Sequence, residues 1–220
     1  MKKIIHSLAG LLLLAATSYA QTSPQFKWAI NGGSIDMGPI ALTEKVQHMA
    51  SDTHGNLYLT SPVFRNNITV AGANLPDGHD YQFTDILLSS ISCSGTHRWS
   101  KVIGGIGGEE APYVKVSPSG QVYLAGYVSK NNATAIDFDT DTTLSAAGFQ
   151  TLFIAQYDTL GNMNWLRLLQ SDTVTNWSFS RSQLMDIDID TLGNVYALCK
   201  FPPGSALSGS SLTIPPAAQT

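Results

Sequence analysis

The sequence predicts an all-β fold, a β-propeller of four-stranded antiparallel blades that is incomplete in this chain, with about two full blades plus partial ones. Three observations predict it: one tight-turn design recurs five times, the residues after it alternate between two patterns, and the stretches between read as strands. Composition agrees, since 43% hydrophobic and 13% charged residues with 19 glycines describe a chain able to bury a core.

Residues 1–20 read as an export signal: Lys2 and Lys3, an apolar run from Ile4 to Ala16, then Ser18-Tyr19-Ala20 as the cleavage site. The run is shorter than the roughly 20 residues of a spanning helix and includes His6 and Ser7, so removal is expected, leaving no transmembrane segment. Gln21 follows, so no cysteine stands there to carry a lipid. Loss of Lys2 and Lys3 takes the formal charge from −4 to −6, an acidic balance that argues against nucleic acid as a partner.

The repeat region, residues 21–220, begins with a lone strand at 24–31 centred on Trp28. The turns then follow: Asp52-Thr-His-Gly55, Ser92-Cys-Ser-Gly95, Ser117-Pro-Ser-Gly120, Asp158-Thr-Leu-Gly161 and Asp190-Thr-Leu-Gly193. Each opens on a side chain that accepts local backbone N–H bonds and closes on a glycine that tolerates positive φ, the chemistry of a type I turn that closes a hairpin. Tyrosine stands three residues after Gly55, Gly120 and Gly193, as Tyr58, Tyr123 and Tyr196; tryptophan stands four after Gly95 and Gly161, as Trp99 and Trp165. Each kind recurs at roughly 70 residues, so one unit holds two hairpins. This gives a blade at 44–103, a blade at 111–170 and a partial blade at 183–220. The buried third strands are Asp85-Ile-Leu-Leu-Ser-Ser-Ile and Leu152-Phe-Ile-Ala-Gln-Tyr, and Trp99-Ser-Lys-Val-Ile-Gly-Gly matches Trp28-Ala-Ile-Asn-Gly-Gly. A four-stranded unit with two apolar faces must stack on its neighbours, and radial stacking yields a propeller; a β-sandwich is the other architecture such strands allow, but it does not call for tyrosine and tryptophan at fixed offsets from equivalent turns.

The runs Trp99-Ser-Lys-Val-Ile-Gly-Gly-Ile-Gly-Gly, Val114-Lys-Val-Ser-Pro-Ser-Gly-Gln-Val-Tyr-Leu-Ala-Gly126, Ile136-Asp-Phe and Leu152-Phe-Ile-Ala-Gln-Tyr resemble the SBBP β-propeller repeat of secreted bacterial proteins, over most of residues 24–220. The pattern is departed from at Ser61 and Cys199, which replace the glycine of Tyr123-Leu-Ala-Gly126. The resemblance implies architecture and a secreted or surface location, and carries no assigned chemistry. Two full units and a partial one are too few to close a ring of four or more blades, so the count predicts a longer parent, and the resemblance implies a C-terminal sorting domain in it.

Catalytic and cofactor motifs do not stand out from the repeat. Asp137, Asp139 and Asp141 have the oxygen chemistry calcium takes, but Thr142 and Gly148 occupy the glycine and glutamate places of a calcium loop. Asp186-Ile-Asp-Ile-Asp190 alternates as a strand with one polar face. His48, His54, His79 and His97 lack zinc-ligand spacing, and neither a Gly-x-Ser-x-Gly elbow nor a Gly-Lys-Ser/Thr phosphate loop occurs. Gly104 to Gly108 reads as an inter-blade loop. Cys93 and Cys199 sit at unrelated repeat positions, which counts against a disulfide. Trp28, Trp99 and Trp165, once per unit, read as inter-blade packing, while Trp177 lies outside the repeat as a candidate binding aromatic. The expectation is a non-catalytic surface for protein or carbohydrate ligands; the alternative is a polysaccharide-active propeller enzyme whose carboxylates lie outside this fragment.

Overall fold

A computed structural model describes residues 27–34, 45–64, 66–79, 83–105, 107–129, 136–138, 143–144, 150–169 and 182–201. The expected export signal, Asp139, Asp141 and Trp177 lie outside them. Among the described residues the chain is all-β and contains no helix.

Two four-stranded antiparallel meanders form the body. The first holds β2 (His48–Ser51), β3 (Leu57–Val63), β6 (Asp85–Ile91) and β7 (His97–Ile103), ordered as in the chain; β4 (Thr69–Val70) and β5 (Ala73–Asn74) form a small hairpin in the β3–β6 connection. The second holds β8 (Glu110–Val116), β9 (Val122–Ser129), β12 (Gln150–Tyr157) and β13 (Met163–Leu169), with β10 (Ile136–Asp137) and β11 (Thr143–Leu144) paired in the matching connection. A third sheet consists of the hairpin β14 (Gln183–Ile189) and β15 (Val195–Lys200). The short strand β1 (Gly32–Gly33) pairs with β4 and follows residues 24–31; of that stretch, residues 27–31 run without a ladder partner.

The five turns are built alike. In each, the glycine N–H donates to the carbonyl of the first turn residue, at 2.9–3.2 Å, and glycine φ lies between +77° and +88°. The Asp52 carboxylate accepts from the backbone of His54 and Asn56 and from the Asn56 amide, and Asp158 and Asp190 repeat the arrangement with Asn162 and Asn194. Ser92 and Ser117 do the same work with one hydroxyl, accepting from Thr96 and Gln121. A side chain that satisfies the turn's own N–H groups stabilises the hairpin from within the turn, without calling on another sheet.

Stacking buries the middle strands on both faces. All seven residues of β6 are buried, as are most of β9 and β12. Strand β8 lies against β2 and β3, and β14 lies against β8 and β9. One core joins Tyr58, Ile86, Leu88 and Ile103 of the first sheet to Val114, Leu124, Phe153 and Tyr157 of the second. A second core joins Tyr123, Ala125 and Ile154 to Ile187, and a third lies on the first sheet's other face, between Leu59, Leu87 and Ile91 and the segment of Trp28 and Ile30. Middle strands that are apolar on both faces, β6, β9 and β12, are what require a neighbour on each side.

Candidate functional site

The recurring aromatic residues meet at the tight-turn end and act as fasteners between sheets. Trp28 donates its indole N–H to the Cys93 carbonyl at 2.9 Å, and Trp99 donates to the Thr159 carbonyl at 2.9 Å; both acceptors are the second residue of the next turn of the tryptophan kind. A Cβ on Gly95 would stand 2.8 Å from the Trp28 ring, and one on Gly161 2.8 Å from the Trp99 ring, so each turn glycine is the floor on which the preceding indole lies. Within a sheet, Tyr58, Ser90 and Trp99 occupy one row of the ladder, and Tyr123, Gln156 and Trp165 the same row of the next. The Tyr58–Trp99 and Tyr123–Trp165 ring centroids are 6.0 and 6.1 Å apart, in reach of a favourable aromatic pairing. The Arg98 guanidinium donates to the Tyr58 hydroxyl, the Ser90 hydroxyl and the Thr159 carbonyl, fastening the same joint. Gly55, Gly120 and Gly193 hold the left-handed position of the other three turns, and Tyr196 donates to Asp190 as Tyr58 does to Asp52.

At the opposite end the strands run into the long connections, and polar side chains gather there. Gly104, just past β7, exchanges backbone hydrogen bonds with Asp137 of β10 at 3.1 and 2.8 Å, which joins the end of the first sheet to the small hairpin of the second. Strand β1 and β4 make the equivalent junction one unit earlier. A Cβ on Gly104 would run into the fully buried Asp85 carboxylate, so that position accepts glycine alone. His79, from the β5–β6 connection, lies between carboxylates: Nδ1 is 3.4 Å from Asp85, Nε2 is 3.8 Å from Asp137, and its backbone N–H donates to Asp85 at 2.6 Å. The hydrogen bond to Asp85 raises the His79 pKa above its ordinary 6.5, against partial burial that lowers it and with the charges of Asp85 and Asp137 adding to the rise. With Asp85 near one ring nitrogen and Asp137 near the other, the imidazole bridges two long connections, and both carboxylates favour its charged form. Glu110 adds a cross-sheet tie, accepting from the Gln47 amide and, at 2.9 Å, from the Tyr127 hydroxyl.

The histidines therefore have separate tasks. His48 Nδ1 lies 3.0 Å from the Val114 carbonyl across the sheet interface, His54 sits in a turn, and His97 Nε2 lies 2.9 Å from the Ser100 hydroxyl. Among the described residues no three His, Cys, Asp or Glu side chains converge as a metal-holding group. Of the three calcium candidates, Asp137 is in the bridge to Gly104, while Asp139 and Asp141 lie outside the described residues. Cys93, exposed in its turn, and Cys199, on β15, are free thiols. In Asp186–Asp190 the alternation resolves as expected, with Ile187 buried and Asp186 and Asp188 exposed.

The His79–Asp85–Asp137 cluster is what sequence reasoning missed. Its one visible trace in the sequence was Asp85, a carboxylate opening the strand Asp85-Ile-Leu-Leu-Ser-Ser-Ile. The apolar hollow on the first sheet's outer face, about 330 Å³ and lined by Ile30 to Gly33, Lys45, Val46, Leu59, Ser61, Val70 and Leu87, was equally hidden. No protein-family model matches the chain, and no curated protein matches it.

Proposed function

We propose that the chain is an exported, non-catalytic repeat protein whose stacked sheets are blades of a β-propeller and whose long-connection end is a rigid surface for protein or carbohydrate ligands. The observation that carries this reading is the repeated clasp at the tight-turn end. The indoles of Trp28 and Trp99 are occupied in holding the segment before β1 to the first sheet and the first sheet to the second, by the same bond at 2.9 Å.

Two further observations support the architecture. In a β-sandwich each sheet buries one face and leaves the other to solvent, whereas β6 and β12 are covered on both. The stacking also has a constant sense, since Tyr58 and Tyr123 both look toward the sheet that follows in the chain. Export rests on the charged, apolar and small-residue order of residues 1–20, and among the described residues no helix is long and apolar enough to cross a membrane. The resemblance to the SBBP repeat favours the same location and architecture.

The test is a glycan array and a panel of extracellular proteins, run alongside a polysaccharide hydrolysis screen on the purified chain. Binding without turnover is expected, weakened by Asn74→Arg in the long connection and unaffected by Leu160→Arg at the tight turns, both exposed positions. Turnover of any polysaccharide overturns the non-catalytic reading.

A further inference from the structure

The ring of His79 faces a carboxylate on each side, and the two carboxylates come from different units. Asp85 opens β6 of the first sheet, whereas Asp137 belongs to β10, in the long connection of the second. A ring nitrogen satisfies a carboxylate only by donating to it. Neutral imidazole has one N–H and one bare lone pair, so it answers one carboxylate and turns the lone pair on the other; imidazolium, with two N–H groups, answers both. The arrangement, with Nδ1 3.4 Å from Asp85 and Nε2 3.8 Å from Asp137, therefore fits the protonated ring alone.

The three partners are not equally free to leave. Asp85 has a fully buried side chain and accepts the His79 backbone N–H in addition to facing Nδ1. Strand β10 is pinned on either side of Asp137, since Ile136 and Phe138 are buried in the core that both sheets share, and Asp137 exchanges backbone bonds with Gly104. What can give is the imidazole, 31% exposed on the β5–β6 connection. Among the described residues, Asp85 and Asp137 are the charges that bear on the ring. Gly104 brings backbone only, Asp77 of the same connection accepts the Asn67 N–H, and the buried Glu109, bonded through its own N–H to the Thr84 carbonyl, is not one of them.

We propose that His79 is a proton-operated clasp between successive units: as imidazolium it ties the β5–β6 connection of the first to β10 of the second, and on losing its proton it lets go of Asp137 and frees that connection. The carboxylates hold the change above the ordinary 6.5, so the clasp is shut below that value and opens as pH rises through the raised one. It lies at the end proposed above to meet ligands, and its control over that surface rests on that reading; the clasp itself does not.

Amide exchange of the full chain, read residue by residue by NMR with each rate divided by the intrinsic rate at that pH, tests it alongside the titration of the His79 ring. In the unsubstituted chain, protection of the His79 amide should fall about tenfold as pH passes the ring's midpoint, while the Gly104 and Asp137 amides keep theirs. Two variants push it in opposite directions. Asp137→Asn sets an amide N–H opposite Nε2, which the neutral ring can accept, and should keep the His79 amide protected at high pH. His79→Gln can donate toward one carboxylate only, and should leave that amide poorly protected at every pH. Protection of His79 that ignores its own titration, an Asp137→Asn chain that opens as the unsubstituted one does, or a loss shared equally by Gly104 and Asp137 overturns the proposal. The reading of this end as a ligand surface would survive each of those results, because exchange is measured without ligand.

Discussion

Tyr58 and Tyr196 hold the same place in the same motif, three residues after a left-handed turn glycine, and each donates its hydroxyl to the turn aspartate, at 3.3 and 3.2 Å. One is fully buried and the other mostly open. The local structure is identical; the difference is the sheet stacked on top. In this fold, burial and the stability it brings belong to the junction between units, while the turn and hairpin belong to the unit itself.

The largest effect expected from that contrast is on truncation. Tyr58→Ala should cost about 4 kcal/mol in chemical denaturation followed by circular dichroism, as a large aromatic removed from a closed core, and Tyr196→Ala less than about 0.5 kcal/mol in dilute protein. Equal losses at the two sites would break the comparison.

The turn glycines sharpen it at a smaller scale. Gly161 and Gly193 share φ near +88° and +84°, but a Cβ on Gly161 meets the Trp99 ring at 2.8 Å, whereas one on Gly193 finds only the Tyr123 hydroxyl at 3.6 Å. Gly193→Ala should cost about 1 kcal/mol, the strain of a left-handed alanine, and Gly161→Ala about 3 kcal/mol, because the indole must also shift. Trp99 emission should move to longer wavelength in the second variant and stay unchanged in the first.

The smallest effects are those of pH, and they separate the two ends of the stack. His79 has its pKa raised, so its stabilising contribution is complete below the ordinary 6.5 and fades as pH rises through the higher folded value; His79→Gln should flatten the stability profile in that window. The turn aspartates act in the opposite sense. Partial burial pushes Asp52 and Asp158 upward, but hydrogen bonds from Asn56 and Asn162 prevail; Asp190 is lowered first by Asn194. Their contribution is present above 3.8 and is lost as pH falls through the lower folded values, so Asp52→Asn should flatten the acid limb alone.

Much of this organisation is legible in the residues because it is local. Asp or Ser, two residues and Gly specify a turn within four positions, and the alternation on either side specifies strands, which is why Gly55, Gly95, Gly120, Gly161 and Gly193 could be placed before any coordinate. Spacing likewise identified the tyrosines and tryptophans as repeat elements and suggested that Trp28, Trp99 and Trp165 pack between units; Trp28 and Trp99 do so through an indole bond, and Trp165 packs on the core that the second and third sheets share. The cluster of His79, Asp85 and Asp137 was not legible, since its members lie in three elements and no spacing rule joins them.

Sequence alone determined the hairpins closed by the five tight turns and their order, because turn chemistry and period-two patterning act over a few residues; the small hairpins β4–β5 and β10–β11 in the long connections were not among them. The tertiary structure alone decided which face meets which neighbour, that an indole closes on the next turn's carbonyl, and that a buried Asp85 demands glycine at 104. Those outcomes depend on distances between residues in different elements, sixty or more positions apart for the two indole bonds, which packing sets and a linear pattern does not encode.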